Sequence, residues 1–368
     1  MLSQISVVLP SLDPDEKLYS VIDALTEQGF SDIILVNDGS KPEKTEYFTH
    51  AALAWPCVTV LTHPVNRGKG AAMKTAFAYI LENRPDCAGV VTVDGDGQHR
   101  ADDTRKCVEK MLESGHIVLG VRDFSQQDVP PCSRFGNTCT SVVFKIFVGM
   151  TISDTQTGLR VIPARYLRAM AAVAGERYEY ETNMLLEMKK QGIAFNEVKI
   201  QTVYIDENQT SHFHPIRDSW RIYKLILAHF FRYTLSSMLS SVLELALYSV
   251  LSLLLCRVLE DPAMTAVTTV CSRAISCIFN FTINKRLVFH STASTRRSFG
   301  RYLMLAIPQM LVQMVLTQGA YWLLAIPETA TALRTVVYTA VMLILFVASY
   351  MIQQRWVFAP PSGADTGR

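Results

Sequence analysis

Residues 90–99 read VVTVDGDGQH, a short β-branched run that ends in two aspartates separated by one glycine. A run of this kind predicts a buried strand. Asp94 and Asp96 follow it directly, and two such carboxylates can hold one divalent cation that also binds diphosphate oxygens. A solvated Asp-Gly turn is the alternative interpretation.

Four similar runs lie in the first half of the chain, separated by helical patterns. They cover residues 5–9, 32–36, 58–61 and 117–119. This alternation predicts an α/β fold with a doubly wound, mostly parallel sheet. Ligands of such sheets bind beyond the carboxyl ends of the strands, so we expect functional residues immediately after each run.

Polar residues follow the other predicted strands as well. Asp13 comes after the first strand and Asp38 after the second, while Lys69 lies in the glycine-containing segment 66–72 after the third. A carboxylate can accept hydrogen bonds from a base or a ribose, and a lysine at the start of a helix can approach an anion. Taken alone, the Asn-Asp-Gly of residues 37–39 is more typical of a plain turn.

Arginines and further acidic residues come later in the first half. Arg122 ends the fifth strand, Arg134 opens an amphipathic helix, and residues 154–160 read DTQTGLR. Guanidinium groups bind phosphates through paired hydrogen bonds. Together with the acidic segment 179–183, these residues predict an acidic and arginine-rich cleft.

The second half of the chain contains four long apolar runs. They cover about residues 235–255, 263–283, 303–326 and 331–352, with at most one charge in each. Each is long enough to cross a bilayer as a helix, which takes roughly 20 residues. We therefore predict a first domain at 1–216, an interfacial linker helix at 217–232, an all-α membrane domain at 233–358 and a tail at 359–368.

The charges between these runs predict the topology. Basic residues precede the first run, separate the second from the third and follow the fourth, so the positive-inside rule places both termini and the first domain in the cytosol. No signal peptide pattern at Met1 opposes this. The net charge of +2 gives no indication of nucleic-acid binding, and the eight cysteines show no CxxC spacing.

The membrane half contains an internal repeat. Residues 281–289, FTINKRLVF, recur 69 positions later as residues 350–358, YMIQQRWVF. A repeated pair of crossings leaves both copies in the same orientation, unlike the inverted repeats of many transporters. Within the runs, Glu244 and Arg273 are charged, and such residues usually pair inside a membrane. Their pair is either structural or part of a groove for a lipid phosphate or sugar.

The order of these motifs resembles glycosyltransferase family 2, and in particular its dolichyl-phosphate and polyprenyl-phosphate hexosyltransferases. The resemblance covers about residues 5–220 and implies an α/β GT-A fold, which is Rossmann-like. It is carried by Asp38, residues 66–71, residues 94–99, Arg122, Arg134 and residues 154–160. Residues 233–358 resemble the GtrA family of four-helix membrane proteins, which implies involvement with polyprenyl-linked sugars.

The resemblance also implies roles for individual residues. Nucleotide binding falls to Pro10, Asp13, Asp38, Lys69 and Asp94, and the Mg²⁺ or Mn²⁺ cofactor to Asp94, Asp96 and Gln98. The catalytic residues are Asp96, Asp154, Arg122 and Arg134, and the acceptor or diphosphate is held by Arg122, Arg134, Arg160, His212 and Arg217. Asp154 is a base, a sugar ligand or an orienter of an arginine. Asp13-Pro14 replaces the usual Asn-Glu of the family, so Asp15 or Glu16 is the alternative contact to the base.

These expectations combine into one reaction. The enzyme transfers a hexose with inversion from a nucleotide-sugar, UDP-glucose rather than GDP-mannose, to undecaprenyl or another polyprenyl phosphate. The reaction takes place at the cytosolic face of a bacterial-type inner membrane, and association of copies through the membrane domain is left open. The alternatives are a lipid-linked sugar transporter whose first domain only binds nucleotide-sugar, and a transferase with another acceptor. A processive polysaccharide synthase is disfavoured, because Ile352 stands where its Gln-x-x-Arg-Trp motif requires glutamine.

Overall fold

The computed structural model describes residues 2–124, 129, 131–201, 215–257, 259–260, 263–291, 293–327 and 329–359. The chain forms two compact units, Met1–Leu225 and Ile226–Arg368. The first carries a sheet with helices packed on it, and the second is helical.

The described part of the first unit contains a sheet of seven strands. They are β1 (Ile5–Ser11), β2 (Ile33–Asn37), β3 (Val58–Thr62), β4 (Gly89–Thr92), β5 (Ile117–Arg122), β6 (Arg160–Pro163) and β7 (Phe195–Ile200). Their order across the sheet is β3-β2-β1-β4-β6-β5-β7. Only β6 runs antiparallel to its neighbours, so the predicted mostly parallel sheet is confirmed. The five predicted strands recur as β1 to β5, and β6 and β7 add to them.

Helices connect these strands and cover the core. They are α1 (Lys17–Glu27), α2 (Thr45–Ala54), α3 (Lys69–Asn83), α4 (Ala101–Ser114), α5 (Pro131–Val143), α6 (Ala164–Ala171) and α7 (Glu179–Gln191). The central strands consist of residues that are almost completely buried, as in sheets that are covered on both faces. Because β1, β2, β4 and β5 are parallel, their carboxyl ends meet at one edge, where the aspartates and Arg122 lie.

The remaining helices are α8 (Pro215–Leu255), α9 (Ala263–Ile283), α10 (Thr295–Leu323) and α11 (Thr331–Ile352). In the part of the chain that the structure describes, four segments are long and apolar enough to cross a membrane: Ile226–Leu255, Ala263–Val288, Thr295–Leu323 and Thr331–Val357. The predicted linker helix 217–232 and the predicted first span are parts of the single helix α8. No glycine or proline interrupts residues 217–255, so nothing ends the helix between them.

The repeat in the sequence is also a repeat in the structure. α9 and α11 each run into a short π-helical segment, Asn284–Val288 and Gln353–Val357. Equivalent residues of these two segments touch, since Asn284 Nδ2 donates to Gln353 Oε1 at 3.3 Å. The rings of Phe289 and Phe358, also equivalent, stack with centroids 5.1 Å apart. Contacts between equivalent residues are typical of two-fold pairing.

Polar side chains join the helices of the second unit. Tyr233 of the first repeat accepts a hydrogen bond from Gln353 of the second at 3.0 Å. Tyr302 of the second repeat donates to Asn280 of the first, also at 3.0 Å. Glu244 and Arg273 form the expected pair, with Oε1 and Nε 3.1 Å apart. Interhelical hydrogen bonds of this kind hold membrane bundles together.

Candidate active site

The segment between β4 and α4 presents the two aspartates at the sheet edge. Gly97 has φ 78°, a conformation that favours glycine and turns the segment back on itself. Gln98 N–H therefore donates to Asp96 Oδ1 at 3.1 Å, and Asp94 N–H donates to His99 Nδ1 at 3.2 Å. These internal bonds fix both carboxylates beside the end of β1.

Lys69 supplies a positive charge to this segment. Its Nζ lies 2.7 Å from Asp94 Oδ1 and 2.9 Å from Glu181 Oε1. Burial alone would raise the pKa of Asp94, but the Lys69 ammonium outweighs it and holds that pKa below its ordinary value. Burial would also lower the pKa of Lys69, yet the two carboxylates raise it overall. Asp94 is therefore ionised and Lys69 charged at neutral pH.

Asp96 differs from its neighbour in proton affinity. Burial, and after it the charge of Asp94, raise the pKa of Asp96. Two adjacent carboxylates of this kind repel each other, and a divalent cation would relieve that repulsion. The oxygens of Asp94, Asp96 and Gln98 suit Mg²⁺ or Mn²⁺, which are commonly held by one or two carboxylates together with substrate phosphates. In the described ranges no group of three His, Cys, Asp or Glu side chains converges on a metal position.

Arg122 and Asp154 form a fork at the end of β5. Arg122 Nε lies 2.7 Å from Asp154 Oδ2, and Nη2 lies 3.1 Å from Oδ1. Asp154 is 0% exposed, and its Oδ1 also accepts from Gln156 N–H at 3.1 Å. A carboxylate held in this way fixes the direction of the guanidinium. Of the three roles left open for Asp154, the geometry favours the orienter of an arginine.

A single pocket is lined both by residues of the Asp94 segment and by Arg122. It is lined by Asp94, Gln98, His99, Arg122, Gln156, Thr157, Gly158 and Ile200. Asp94 and Arg122, both predicted for the site, therefore face the same space. A negatively charged ligand that entered it would meet the guanidinium of Arg122 and the carboxylate of Asp94, which is suited to a cation.

Asp38 and Asp13 bond to other parts of the chain. Asp38 is buried, with its Oδ1 2.7 Å from His63 Nδ1 and 3.0 Å from Arg67 N, and its Oδ2 2.7 Å from Gly68 N. It thereby fixes the segment that leads into Lys69. Asp13 Oδ1 accepts from Lys41 N–H at 2.8 Å. Pro10 pairs with Val36 across β1 and β2. Nucleotide binding by Pro10, Asp13 and Asp38 stays a prediction.

The predicted phosphate-binding residues differ in how deeply they are buried. Arg160 is 1% exposed, and it donates to the carbonyls of Thr157 at 3.0 Å and Glu181 at 2.6 Å. It therefore links the segment of Thr157 to α7, and its predicted contact with the acceptor or diphosphate stays a prediction. Arg134 is exposed on α5. His212 and the side chain of Arg217 lie outside the described residues.

Glu181 belongs to the site, although no role of its own was predicted for it from the sequence. It lies in the first turn of α7, far from Lys69 in sequence, and the two meet only because α3 packs beside α7. The acidic segment 179–183 stood out in the sequence. Nothing local in it indicates which of its glutamates faces Lys69.

Gly158 is a position where a methyl group would disturb this cluster. A Cβ there would lie 2.4 Å from Asp94 Oδ2 and 3.1 Å from Lys69 Nζ. We expect Gly158→Ala to displace Asp94 and to slow any reaction that depends on this carboxylate about 10- to 100-fold. Turnover and thermal stability are measured beside Gly300→Ala, where a Cβ meets no atom within 4 Å. Equal turnover in the two variants would contradict the expectation.

Two family models match the chain. Residues 6–169 match "Glycosyl transferase family 2", and residues 232–358 match "GtrA/DPMS, transmembrane domain". The uncharacterized protein MJ1222 of Methanocaldococcus jannaschii is 27% identical over 233 residues, which cover 62% of this chain and 93% of the relative.

Two further similarities concern proteins with described ligands or activities. The UDP-N-acetylglucosamine–dolichyl-phosphate N-acetylglucosaminyltransferase of Methanococcus voltae is 26% identical over 219 residues, which cover 55% of this chain and 86% of that enzyme. Among solved structures, the mannosyltransferase PcManGT of Pyrobaculum calidifontis in complex with GDP-Man and Mn²⁺ is 14% identical with a TM-score of 0.41. That match covers 96% of this chain and 87% of the other.

Proposed function

We propose that this chain, whose first domain matches glycosyltransferase family 2 and whose second matches the GtrA/DPMS transmembrane domain, is a polyprenyl-phosphate glycosyltransferase. It transfers a hexose from a nucleotide-sugar to a polyprenyl phosphate. The observation that carries the proposal is the shared pocket of Asp94 and Arg122. Transfer between two phosphate-bearing substrates needs one group that neutralises the leaving diphosphate and another that holds the acceptor. The two sides of this pocket supply both.

The donor side of the pocket is lined by Asp94 and Gln98, and Asp96 lies between them in the chain. These residues would hold Mg²⁺ or Mn²⁺, which supplies the charge that the leaving diphosphate needs. Lys69 fixes Asp94 from behind through its 2.7 Å contact. The carboxylate therefore needs little rearrangement when the donor binds.

The acceptor side contains Arg122, oriented by Asp154. A phosphate monoester has its second pKa near about 6, so the acceptor oxygen is mostly ionised at neutral pH and needs no strong general base. The protein instead has to position the phosphate against the anomeric carbon. A guanidinium fixed in direction by a buried carboxylate performs this task. Attack from the face opposite the diphosphate inverts the anomeric centre.

We propose UDP-glucose as the donor, with GDP-mannose as the second choice. The Methanococcus voltae relative uses a UDP-sugar and a dolichyl phosphate, which supports a uridine nucleotide and a polyprenyl acceptor. Glucose is favoured by the resemblance of residues 154–158 to the glucosyl branch of the family. The four membrane helices anchor the enzyme, and the distribution of basic residues supports a catalytic unit on the cytosolic face of a bacterial-type inner membrane.

The test is transfer of radiolabelled sugar from a panel of UDP- and GDP-sugars to undecaprenyl phosphate in detergent, with Mg²⁺, Mn²⁺ or EDTA. We expect one donor to label the lipid, EDTA to abolish the reaction, and Asp96→Asn to lower it by at least about 100-fold. Glu113→Gln, an exposed charge on α4, serves as the matched control. Nucleotide-sugar binding without transfer to any acceptor would overturn the proposal and favour a transporter.

A further inference from the structure

Ser153, the residue before Asp154, is held from two sides. Glu197 of β7 accepts the Ser153 N–H at Oε1 (2.7 Å) and the Ser153 hydroxyl at Oε2 (2.6 Å). Asn137 of α5 donates from Nδ2 to the Ser153 carbonyl oxygen at 2.7 Å. The amide, the hydroxyl and the carbonyl of one residue are thus bonded to a strand and a helix that lie far from it in sequence.

The same strand also reaches the neighbour of Arg122. Lys199 lies two residues after Glu197, so both side chains point to one face of β7. Lys199 Nζ lies 3.2 Å from Asp123 Oδ2, and Asp123 follows Arg122 directly. One face of β7 therefore bonds the chain next to each member of the Arg122–Asp154 fork. Both Glu197 and Lys199 are exposed, which weakens a single ion pair such as that of Lys199, but Glu197 makes two hydrogen bonds to one residue.

The segment that carries Asp154 depends on such contacts. Residues 149–159 form no regular helix or strand between the π-helical segment Phe144–Val148 and β6. At its far end the segment is bonded to β5, where Gly120 N–H donates to the Leu159 carbonyl at 2.9 Å. In the middle of the segment, the bonds to Ser153 hold it. Because irregular backbone has no ladder of its own, these side-chain bonds decide where Asp154 stands.

We propose that Glu197 is a positioning residue for the acceptor side of the site. Through Ser153 it sets the place of Asp154 and hence the direction of the Arg122 guanidinium. Hydrogen bonds to an ionised carboxylate are short and strong, as the two bonds of Glu197 are. Glu197 has no described contact with Lys69, Asp94 or Glu181, so its effect falls on the acceptor and spares the donor. The inference rests on the proposed function, since the acceptor is a lipid phosphate.

The test compares Glu197→Ala and Glu197→Gln with the control Glu113→Ala in the full-length protein. We expect Glu197→Ala to lower kcat/KM for undecaprenyl phosphate about 10- to 100-fold, because small displacements of a positioning group cost that much. The affinity for UDP with Mn²⁺ and the Tm should match those of the control. Glu197→Gln should recover most of the loss, since its amide oxygen still accepts the Ser153 N–H.

Hydrogen exchange of the full-length protein gives a readout that needs no reaction. Loss of the Glu197 bond should speed exchange in peptides that cover residues 150–156 and leave the rest of the first unit unchanged. Unchanged exchange there, or equal losses for donor and acceptor with a lowered Tm, would overturn the positioning role. Failure of the wild-type protein to label undecaprenyl phosphate would instead overturn the proposed function, and the exchange result would still decide the role of Glu197.

Discussion

Replacing Asp94 with asparagine should lower sugar transfer about 1,000-fold, the upper range for losing one preorganised electrostatic group in an active site. Asp94 is the carboxylate that Lys69 holds at 2.7 Å, and it lines the same pocket as Arg122. Without its charge, Lys69 keeps only Glu181 as a partner, and its ammonium would repel a cation bound nearby. Transfer is measured from the donor identified in the panel, with saturating Mn²⁺.

The control for Asp94→Asn is Glu109→Gln, which removes an exposed carboxylate paired with Arg105 on α4. Both variants should keep the wild-type Tm to within a few degrees. In Asp94→Asn, the Lys69 ammonium keeps Glu181 as its countercharge at 2.9 Å. UDP titrations with and without Mn²⁺ then separate two causes. A loss of the Mn²⁺ effect on UDP affinity locates the defect at the cation, whereas full activity in Asp94→Asn would remove this residue from the mechanism.

Replacing Arg122 with methionine should affect stability as well as transfer. The change leaves the Asp154 carboxylate, 0% exposed, without its countercharge. Removing one partner of a buried ion pair typically costs about 3–5 kcal/mol, and the lower end applies here because the Gln156 amide still bonds the carboxylate. Transfer to the lipid phosphate should fall about 100-fold or more, since the acceptor loses its oriented guanidinium. Chemical denaturation and initial rates measure the two effects.

A second substitution separates the two effects of Arg122→Met. In the double variant with Asp154→Asn, the ion pair has lost both of its charges, so no unpaired carboxylate is buried at this position. Much of the lost stability should therefore return while transfer stays low. Arg122→Lys keeps the charge without the two-pronged geometry, and we expect it to recover stability better than transfer. Arg105→Met on α4 is the matched surface control. Recovery of transfer in the double variant would contradict a role for Arg122 in holding the acceptor.

The sequence predicted the parts of the fold that depend on local pattern. Apolar β-branched runs marked β1 to β5, and the unbroken apolar runs marked the membrane helices. β6 and β7 escaped because Arg160–Pro163 is short and bounded by arginine and proline, and Phe195–Ile200 carries charges along an edge strand. Their place in the sheet is decided by pairing with distant strands, which no short window of sequence contains.

The site divides in the same way. Asp94 and Asp96 were visible because both carboxylates follow one strand, and Arg122 because it ends the next. The residues that hold this site in place have partners on distant elements. Glu181 pairs with Lys69 and Glu197 bonds Ser153, and each pair comes together only after the sheet has formed. The burial of Arg160 could not be predicted for a related reason, because a motif gives the order of residues along the chain and not how deeply each side chain is buried.

The hydrogen bonds between the two repeats of the second unit have a consequence for synthesis of the protein. Tyr233 and Asn284 can form their hydrogen bonds with Gln353 only after the last membrane helix has been synthesised. Chains grow at about 5–20 residues per second and fold domain by domain from the N-terminus. The first unit can therefore fold before the last membrane helices have been synthesised. A chain that stops before residue 353 would insert a first helix pair without these bonds, in which Asn284 is held only by Ser236 and Asn280 of its own repeat.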